Sequence, residues 1–275
     1  MNQQKGFYKN FFNIYVALVL QNIITISVNL ADNVMLGAYS ETALSGAAAV
    51  NQIQFVYQQL LLALGDGLVI FCSQYWGKKQ TGPMKKIAAI AMYAAIFIAV
   101  VLFGLVSFFP YQAVGIFTTD EPIIEAGVSY LNVIRFTYLF FAITQILLAT
   151  MRSVETVKIA FQLSVMTFFV NCGINYVLIF GHFGAPELGI VGAAIGTLTA
   201  RIMEIIVLIF YIKKKDKKLQ IRLSDYFSLD KQLAKDYTKI TAPMVFTQGL
   251  WGVNTALQTA ILGHMTATAI AANSA

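Results

Sequence analysis

The chain has 275 residues, of which 58% are hydrophobic and only 12% are charged. A soluble domain is typically about 45–50% apolar and about 25% charged, so this composition argues against a soluble protein and indicates a polytopic membrane protein. The net charge of +6 does not indicate a nucleic-acid partner, because the basic residues lie on short loops between apolar runs. The two cysteines, Cys72 and Cys172, lie inside apolar runs and are interpreted as small packing residues.

Seven apolar runs are long enough to cross a bilayer, which takes about 20 helical residues. The predicted spans are Phe11–Leu36, Leu44–Phe71, Ile87–Phe109, Ile123–Met151, Lys158–Phe180, Gly189–Ile212 and Ile240–Gly263. An eighth would begin at Thr268, shortly before the last residue, so we expect a fragment or a truncated product. The predicted fold is an all-α transmembrane bundle. It divides into a six-span N-terminal lobe (1–212), a cytoplasmic basic and amphipathic linker (213–239) and the start of a C-terminal lobe (240–275).

Basic and acidic residues alternate between the connecting loops. The N-terminus and the loops after the second, fourth and sixth spans carry Lys and Arg. The other loops carry only acidic charges, at Glu41, Asp120, Glu121, Glu125 and Glu187. Because basic loops stay on the cytoplasmic side, we expect a cytoplasmic N-terminus. In the loop before the seventh span, Ser228–Leu233 predicts an N-capped amphipathic helix lying on the cytoplasmic surface.

The first span carries a stripe of polar side chains. At roughly 100° per residue, six of them fall within an arc of about 120°. They are Gln21, Asn22, Thr25, Asn29, Asp32 and Asn33. A membrane helix turns such a stripe away from lipid, toward protein or a water-filled path, because a carboxylate in hydrocarbon is costly.

The stripe recurs in the seventh span. A shift of 226 positions carries Asn29 to Thr255 and Asp32 to Gln258, so the polarity is kept but the carboxylate is not. Both spans are expected to run in the same direction, which predicts the parallel internal repeat typical of many secondary transporters. We therefore predict a substrate path lined by Asn22, Thr25, Asn29, Asn33, Gln248, Thr255 and Gln258.

The fifth and sixth spans carry further polar groups at helical spacing. Asn171 and Asn175 are four residues apart on one helix face, and so are Ala193 and Thr197 on the next span. If these faces meet Asp32, a carboxylate, two amide oxygens, a hydroxyl and a backbone carbonyl would converge. Hard oxygens with a single negative charge suit a small monovalent cation or a proton. The predicted cation site therefore contains all five residues.

The motifs, taken in order, resemble the multidrug and toxic compound extrusion (MATE) transporters. They are Asp32-x-x-x-x-Gly37, Gln74-Tyr75-x-Gly77, Asn171-x-x-x-Asn175 running to Phe180-Gly181, and Gly192-Ala193-Ala194-x-Gly196-Thr197. The resemblance covers nearly the whole chain. It implies twelve spans in two lobes, alternating access, and export of organic cations or drugs against entry of sodium ions or protons. It also implies that Asp32, Asn171, Asn175 and Thr197 form the cation site of the N-terminal lobe. Many members of the family carry Asp where Asn175 stands. The absence of this second carboxylate here slightly favours sodium over a proton as the coupling ion.

These observations predict a cation-coupled exporter in the cytoplasmic (inner) membrane of a bacterium. We expect no cofactor beyond the coupling ion, Na+ or H+, and a second lobe supplied by the same chain or by a second copy. The nearest alternative is a lipid-linked oligosaccharide flippase of the same superfamily. Those proteins typically line the lobe with several basic side chains that bind a pyrophosphate. Here only Arg135 and Arg201 lie within the predicted spans. A membrane enzyme is disfavoured because no catalytic set of acids or histidines is apparent.

Structural interpretations compete with several of these assignments. Asp32 could reach headgroup water, and Asn171 and Asn175 could be interhelical contacts worth about 1 kcal/mol each. Arg201 and Glu204, three residues apart, are expected to neutralise each other in a structural pair. Asp66 is expected to be solvated at the interface, with a hinge or gate as its alternative, and Arg135 to have a structural role. The aromatic residues of the fourth span, among them Tyr130 and Tyr138, are expected to face lipid or the core.

Overall fold

The computed structural model describes residues 2–263, and every regular element in that part of the chain is helical. This confirms the predicted all-α fold. The predicted eighth span, from Thr268, lies outside the described residues. The helices are α1 (Asn2–Tyr39), α2 (Glu41–Gly77), α3 (Thr81–Phe108), α4 (Pro110–Gly115), α5 (Glu121–Ile134), α6 (Thr137–Ser153), α7 (Lys158–Phe180), α8 (Gly189–Lys214) and α9 (Lys231–Gly263).

Five of these helices, α1, α2, α3, α7 and α8, are long and apolar enough to cross a membrane. Helices α5 and α6 make a sixth crossing if they are taken together, although they meet at 53°. The single fourth span predicted over Ile123–Met151 is therefore broken. At the break, the Thr137 hydroxyl donates to the Ile134 carbonyl at 2.6 Å, a side-chain bond of the kind that bends helices.

Helix α9 differs from the prediction at its start. It begins at Lys231, so Ser228–Leu233 does not form a separate surface helix, and that prediction is wrong. The cap is Asp230, whose Oδ1 accepts from the backbone N–H groups of Gln232 and Leu233 at 3.0 and 3.3 Å. The predicted seventh span, Ile240–Gly263, is helical, but α9 is not among the helices that are apolar enough to span within the described residues.

Two groups of helices surround the part of the fold that matters for the site. Helix α2 packs against α3, α5, α6 and α9, and α7 packs against α1 and α8. Small residues allow the closest approach, as the spacing of Gly, Ala and Thr in the sixth span predicts. A Cβ on Gly192 of α8 would lie 2.7 Å from the Leu178 carbonyl of α7, so only glycine lets these two backbones touch. This contact brings the polar faces of α7 and α8 together.

The segment between α8 and α9 lies along the start of α3 and the end of α6. Lys85 and Lys86 of α3 pair with Asp225 and Asp230 at 2.9 and 3.3 Å. From the other side, the Lys218 ammonium donates to the Val154 carbonyl at the end of α6, at 2.5 Å. The basic linker is therefore fixed to the helix bundle by its own ion pairs and hydrogen bonds.

Candidate cation site and the adjoining cavity

Asp32 of α1 meets α7 through a hydrogen bond to an asparagine. Asn175 Nδ2 donates to Asp32 Oδ1 at 2.6 Å, a short bond to a charged acceptor. Asn175 is fully buried and Asp32 is partly buried. The alternative in which Asp32 merely reaches headgroup water does not describe this contact, because the carboxylate is held by a side chain from the bundle interior.

Further hydrogen bonds connect Asn175 to α8. Asn175 Nδ2 lies 3.4 Å from Asn171 Oδ1, and Asn171 Nδ2 donates to Thr197 Oγ1 at 3.2 Å. Four of the five predicted cation-site residues are thus linked in one hydrogen-bonded chain. Ala193, the fifth, is buried one turn before Thr197 on α8, and the contribution of its carbonyl stays a prediction.

One buried atom in this set of hydrogen-bonded side chains has no hydrogen-bond partner. Asn175 Oδ1 is buried and accepts no hydrogen bond among the described residues. A buried polar atom left unpaired costs about 1–3 kcal/mol, so its presence calls for an explanation, and a bound ion is one. Gly196 makes the room for it, since a Cβ on that residue would collide with Asn175 Oδ1. Asn175 thus presents its Nδ2 to Asp32 and keeps its Oδ1 as a free acceptor, the type of atom that suits a cation.

Tyr130 of α5 is a core residue, one of the two positions expected for it, and it also belongs to this site. It is only 4% exposed, its hydroxyl interacts with the Thr197 side chain, and it lies near Asp32. The signal for this placement was weak: a buried tyrosine usually finds a hydrogen-bond partner, but the sequence does not indicate which one.

A cavity of about 320 Å³ adjoins the cluster. Asn171 and Thr197 form one end, and Arg152 and Thr156, at the connection of α6 to α7, form the other. The cavity therefore runs from the end that carries the basic linker to the predicted cation site. Its walls are rich in amides and hydroxyls, contributed by Gln21, Asn22, Thr25, Asn29, Gln58, Gln145, Ser164 and Thr167.

The predicted substrate path is divided by the fold. Asn22, Thr25 and Asn29 line the cavity, whereas Asn33 is exposed and does not. The three path residues predicted on α9 also lie outside the lining of this cavity in the described part of the chain. They are Gln248, Thr255 and Gln258. Helix α9 packs on α2 rather than on α1 or α7, which separates the two polar stripes.

Charged side chains in and beside the cavity are paired. The expected pair on α8 is confirmed, with Arg201 Nη1 donating to Glu204 Oε2 at 2.7 Å, and both residues line the cavity. The Arg201 guanidinium also lies over the Phe141 ring, 4.9 Å from its centroid. At the other end, Arg152 approaches Asp66 at 3.7 Å, so Asp66 bridges α2 to α6 instead of being only solvated.

The chain resembles known transport proteins in sequence. Residues 17–177, more than half of the chain, match the family model MatE. The chain is 29% identical over 198 residues to a probable multidrug resistance protein NorM of Thermotoga maritima, which covers 72% of this chain and 42% of the relative. It is 24% identical over 240 residues to the uncharacterized transporter YisQ of Bacillus subtilis, which covers 87% of this chain and 52% of the relative.

Solved structures share the fold at 16% identity. A multidrug resistance MATE family transporter in an outward-facing conformation aligns with a TM-score of 0.76, over 87% of this chain and 52% of that chain. A MATE protein in a bent conformation aligns with a TM-score of 0.78, over 88% and 53%. The chain thus spans about half the length of the proteins it matches. Members of this family are transporters rather than enzymes. With more than half of its residues matched and its bundle of apolar helices, the chain is a multi-pass membrane protein that belongs to the MatE family.

Proposed function

We propose that the protein exports organic cations or drugs across a bacterial cytoplasmic membrane, driven by entry of Na+ or H+ at Asp32. The observation that carries this proposal is the chain of hydrogen bonds from Asp32 to Thr197, with the buried, unpaired Asn175 Oδ1 beside it. The similarity to probable multidrug resistance proteins supports the substrate class. The basic linker and N-terminus face the cytoplasm in this proposal, by the distribution of Lys and Arg.

The coupling ion is a transported substrate, and the site supplies oxygens to hold it. Asp32 provides the negative charge, and Asn175 Oδ1, Asn171 Oδ1 and Thr197 Oγ1 provide neutral acceptors close by. Such a set fits a sodium ion, which prefers several hard oxygens, while a proton needs the Asp32 carboxylate alone. Access alternates because the ion and the drug bind the outward-open and inward-open states with different affinities.

The cavity provides a polar path to this site. Because it begins near Arg152 and ends at Asn171 and Thr197, a ligand entering from the cytoplasmic side reaches the cation site along amide-lined walls. A second lobe, supplied in the same chain or by a second copy, completes the alternating pathway in the manner of a parallel repeat. We place residues 1–212 in the first lobe, 213–239 in the linker and 240–275 at the start of the second.

A flippase is not favoured, because a pyrophosphate would require free cations along its path. Arg201 is neutralised by Glu204 and Arg152 is close to Asp66. Arg135 lies against the rings of Phe103 and Phe136, at 5.8 and 5.4 Å, and does not line the cavity. The described cavity therefore lacks an unpaired cluster of positive charge.

The test is the substitution Asp32→Asn in the full-length protein. It removes the charge while keeping the size, so efflux of ethidium or norfloxacin from cells should fall to the level of the empty vector at normal expression. Asp120→Asn makes the same chemical change on an exposed loop and should leave efflux unchanged. Full efflux by Asp32→Asn would end the proposal. In proteoliposomes, drug counterflow driven by a sodium gradient or by a pH gradient then identifies the coupling ion.

A further inference from the structure

A carboxylate and an aromatic ring hold the same guanidinium in the wall of the cavity. Glu204 is 6% exposed, and its carboxylate accepts from Arg201 at 2.7 Å. The same guanidinium covers the face of Phe141. These contacts are independent of the hydrogen-bonded chain that forms the predicted cation site.

The two groups that hold Arg201 are those that recognise organic cations in general. A carboxylate supplies charge and hydrogen-bond acceptors, and the face of an aromatic ring attracts cations, most strongly when water is excluded. A buried ion pair is weak evidence for stability, because apolar residues of similar volume often serve as well. Charged residues within membrane-spanning segments more often mark a path for a substrate.

On α8, Arg201 also lies between Glu204 and Thr197, a residue of the predicted cation site. It follows Thr197 by four residues on α8, which places it about 6 Å further along the helix on the same face. Its guanidinium is near enough to Asp32 to attract that carboxylate as well. A guanidinium displaced from Glu204 therefore has a second acidic partner, Asp32, beyond the end of the cavity that Asn171 and Thr197 line.

We propose that Glu204 and Phe141 form a binding site for a planar organic cation, and that Arg201 occupies it as a tethered competitor when no ligand is bound. The ligand class is an aromatic amidinium, guanidinium or ammonium ion, because Arg201 itself shows which head group fits. This inference rests on the proposed function in that such a ligand is the exported substrate. When it binds, Arg201 turns toward the charged Asp32. When an ion neutralises Asp32, Arg201 returns to Glu204 and displaces the ligand.

The experiment measures equilibrium binding, with no ion gradient, so that it is independent of transport. Benzamidine, a planar aromatic amidinium, is titrated into the full-length protein in nanodiscs by calorimetry, with neutral benzamide as the matched ligand. Arg201→Met removes the competitor and should tighten benzamidine binding about tenfold. Glu204→Gln should weaken it about tenfold, and benzamide should bind poorly to every variant. Arg135→Met removes the same kind of cation–aromatic contact outside the cavity, and should change nothing.

Arg201→Met leaves Glu204 buried without its partner and can fail to fold. Phe141→Leu provides a second route, because it keeps the ion pair and should still weaken benzamidine binding severalfold. The proposal is overturned if folded Arg201→Met binds no more tightly than the native protein, or if Glu204→Gln or Phe141→Leu binds equally well. If Asp32→Asn retains efflux while Arg201→Met tightens binding, the coupling role of Asp32 falls and this site stands.

Discussion

Gly196 provides the sharpest test of the cation-site geometry. In an exposed helix, replacing glycine by alanine stabilises by about 1 kcal/mol, because alanine is the better helix former. At position 196 the added Cβ would collide with Asn175 Oδ1. Asn175 must then move, which strains the packing by about 1–3 kcal/mol and breaks a hydrogen bond to a charged group worth about 1.5–3 kcal/mol. Gly196→Ala should therefore destabilise the protein by about 2–5 kcal/mol.

The assay is thermal unfolding in detergent, with and without sodium. Gly196→Ala should lower the midpoint and abolish any stabilisation by sodium, since a ligand stabilises only the state that binds it. The matched control is Gly173→Ala, in α7 between the two asparagines, where a Cβ meets nothing within 4 Å. That control should unfold at the same temperature or slightly higher. Equal stability and equal sodium response in Gly196→Ala and Gly173→Ala would refute the packing argument.

Two further predictions concern Tyr130 and the linker. Tyr130→Phe keeps the ring but removes the hydroxyl near Thr197, so it should cost about 1 kcal/mol of stability and weaken sodium stabilisation in the same melting assay. In the linker, burial raises the pKa of Asp225, but hydrogen bonds from Arg222 N–H and Lys85 outweigh it and leave that pKa lowered. The Leu233 N–H and then Lys86 lower the pKa of Asp230. A carboxyl whose pKa is lowered by folding stabilises the folded linker fully at pH values above its pKa in the unfolded chain, about 3.9. This stabilisation is lost as the pH falls through the lower pKa of the folded state. The protection factors of the amides in 215–230, which remove the intrinsic pH dependence of hydrogen exchange, should thus fall in that acidic range and stay constant between pH 5 and 7; a fall already in the neutral range would contradict the assignment.

The sequence could predict the site where helical spacing alone decides the geometry. Asn171 and Asn175 share a face because they are four residues apart, and the small residues of α8 let that face approach Thr197. The arrival of Asp32 at the same place depended on the polar stripe of α1 having to avoid lipid. Each of these inferences uses a period or a solvent preference that operates within one helix.

The predictions that were wrong depended on side-chain hydrogen bonds and ion pairs that a pattern of apolar residues does not show. The break between α5 and α6 follows from the Thr137 hydroxyl binding the Ile134 carbonyl, a choice that a uniformly apolar run does not reveal. Helix α9 extends back to Lys231 because Asp230 caps it and is held by Lys86 of α3. Tyr130 is buried, as expected of a core aromatic residue, and its place at the site follows from the packing of α5 on α8. The Thr137 bond is local but is one of several choices open to a hydroxyl, and Lys86 lies far from Asp230 in sequence, so an apolar pattern could not supply either partner.

In the proposed mechanism, the charges of Asp32 and Glu204 couple the binding of the ion to the binding of the substrate. Thr197 ends the series of hydrogen bonds that begins at Asp32, and it precedes Glu204 on α8 by seven residues, or about 10 Å along the axis. This spacing sets the order of the separation between the two carboxylates. Across that distance, at an effective dielectric constant of about 20, a charged Asp32 attracts a cation at Glu204 by about 1.7 kcal/mol. An ion bound to Asp32 cancels this attraction, and the affinity at Glu204 then falls by somewhat more than tenfold. Reciprocity requires the substrate to weaken ion binding by the same factor, which is the condition for exchange rather than joint transport.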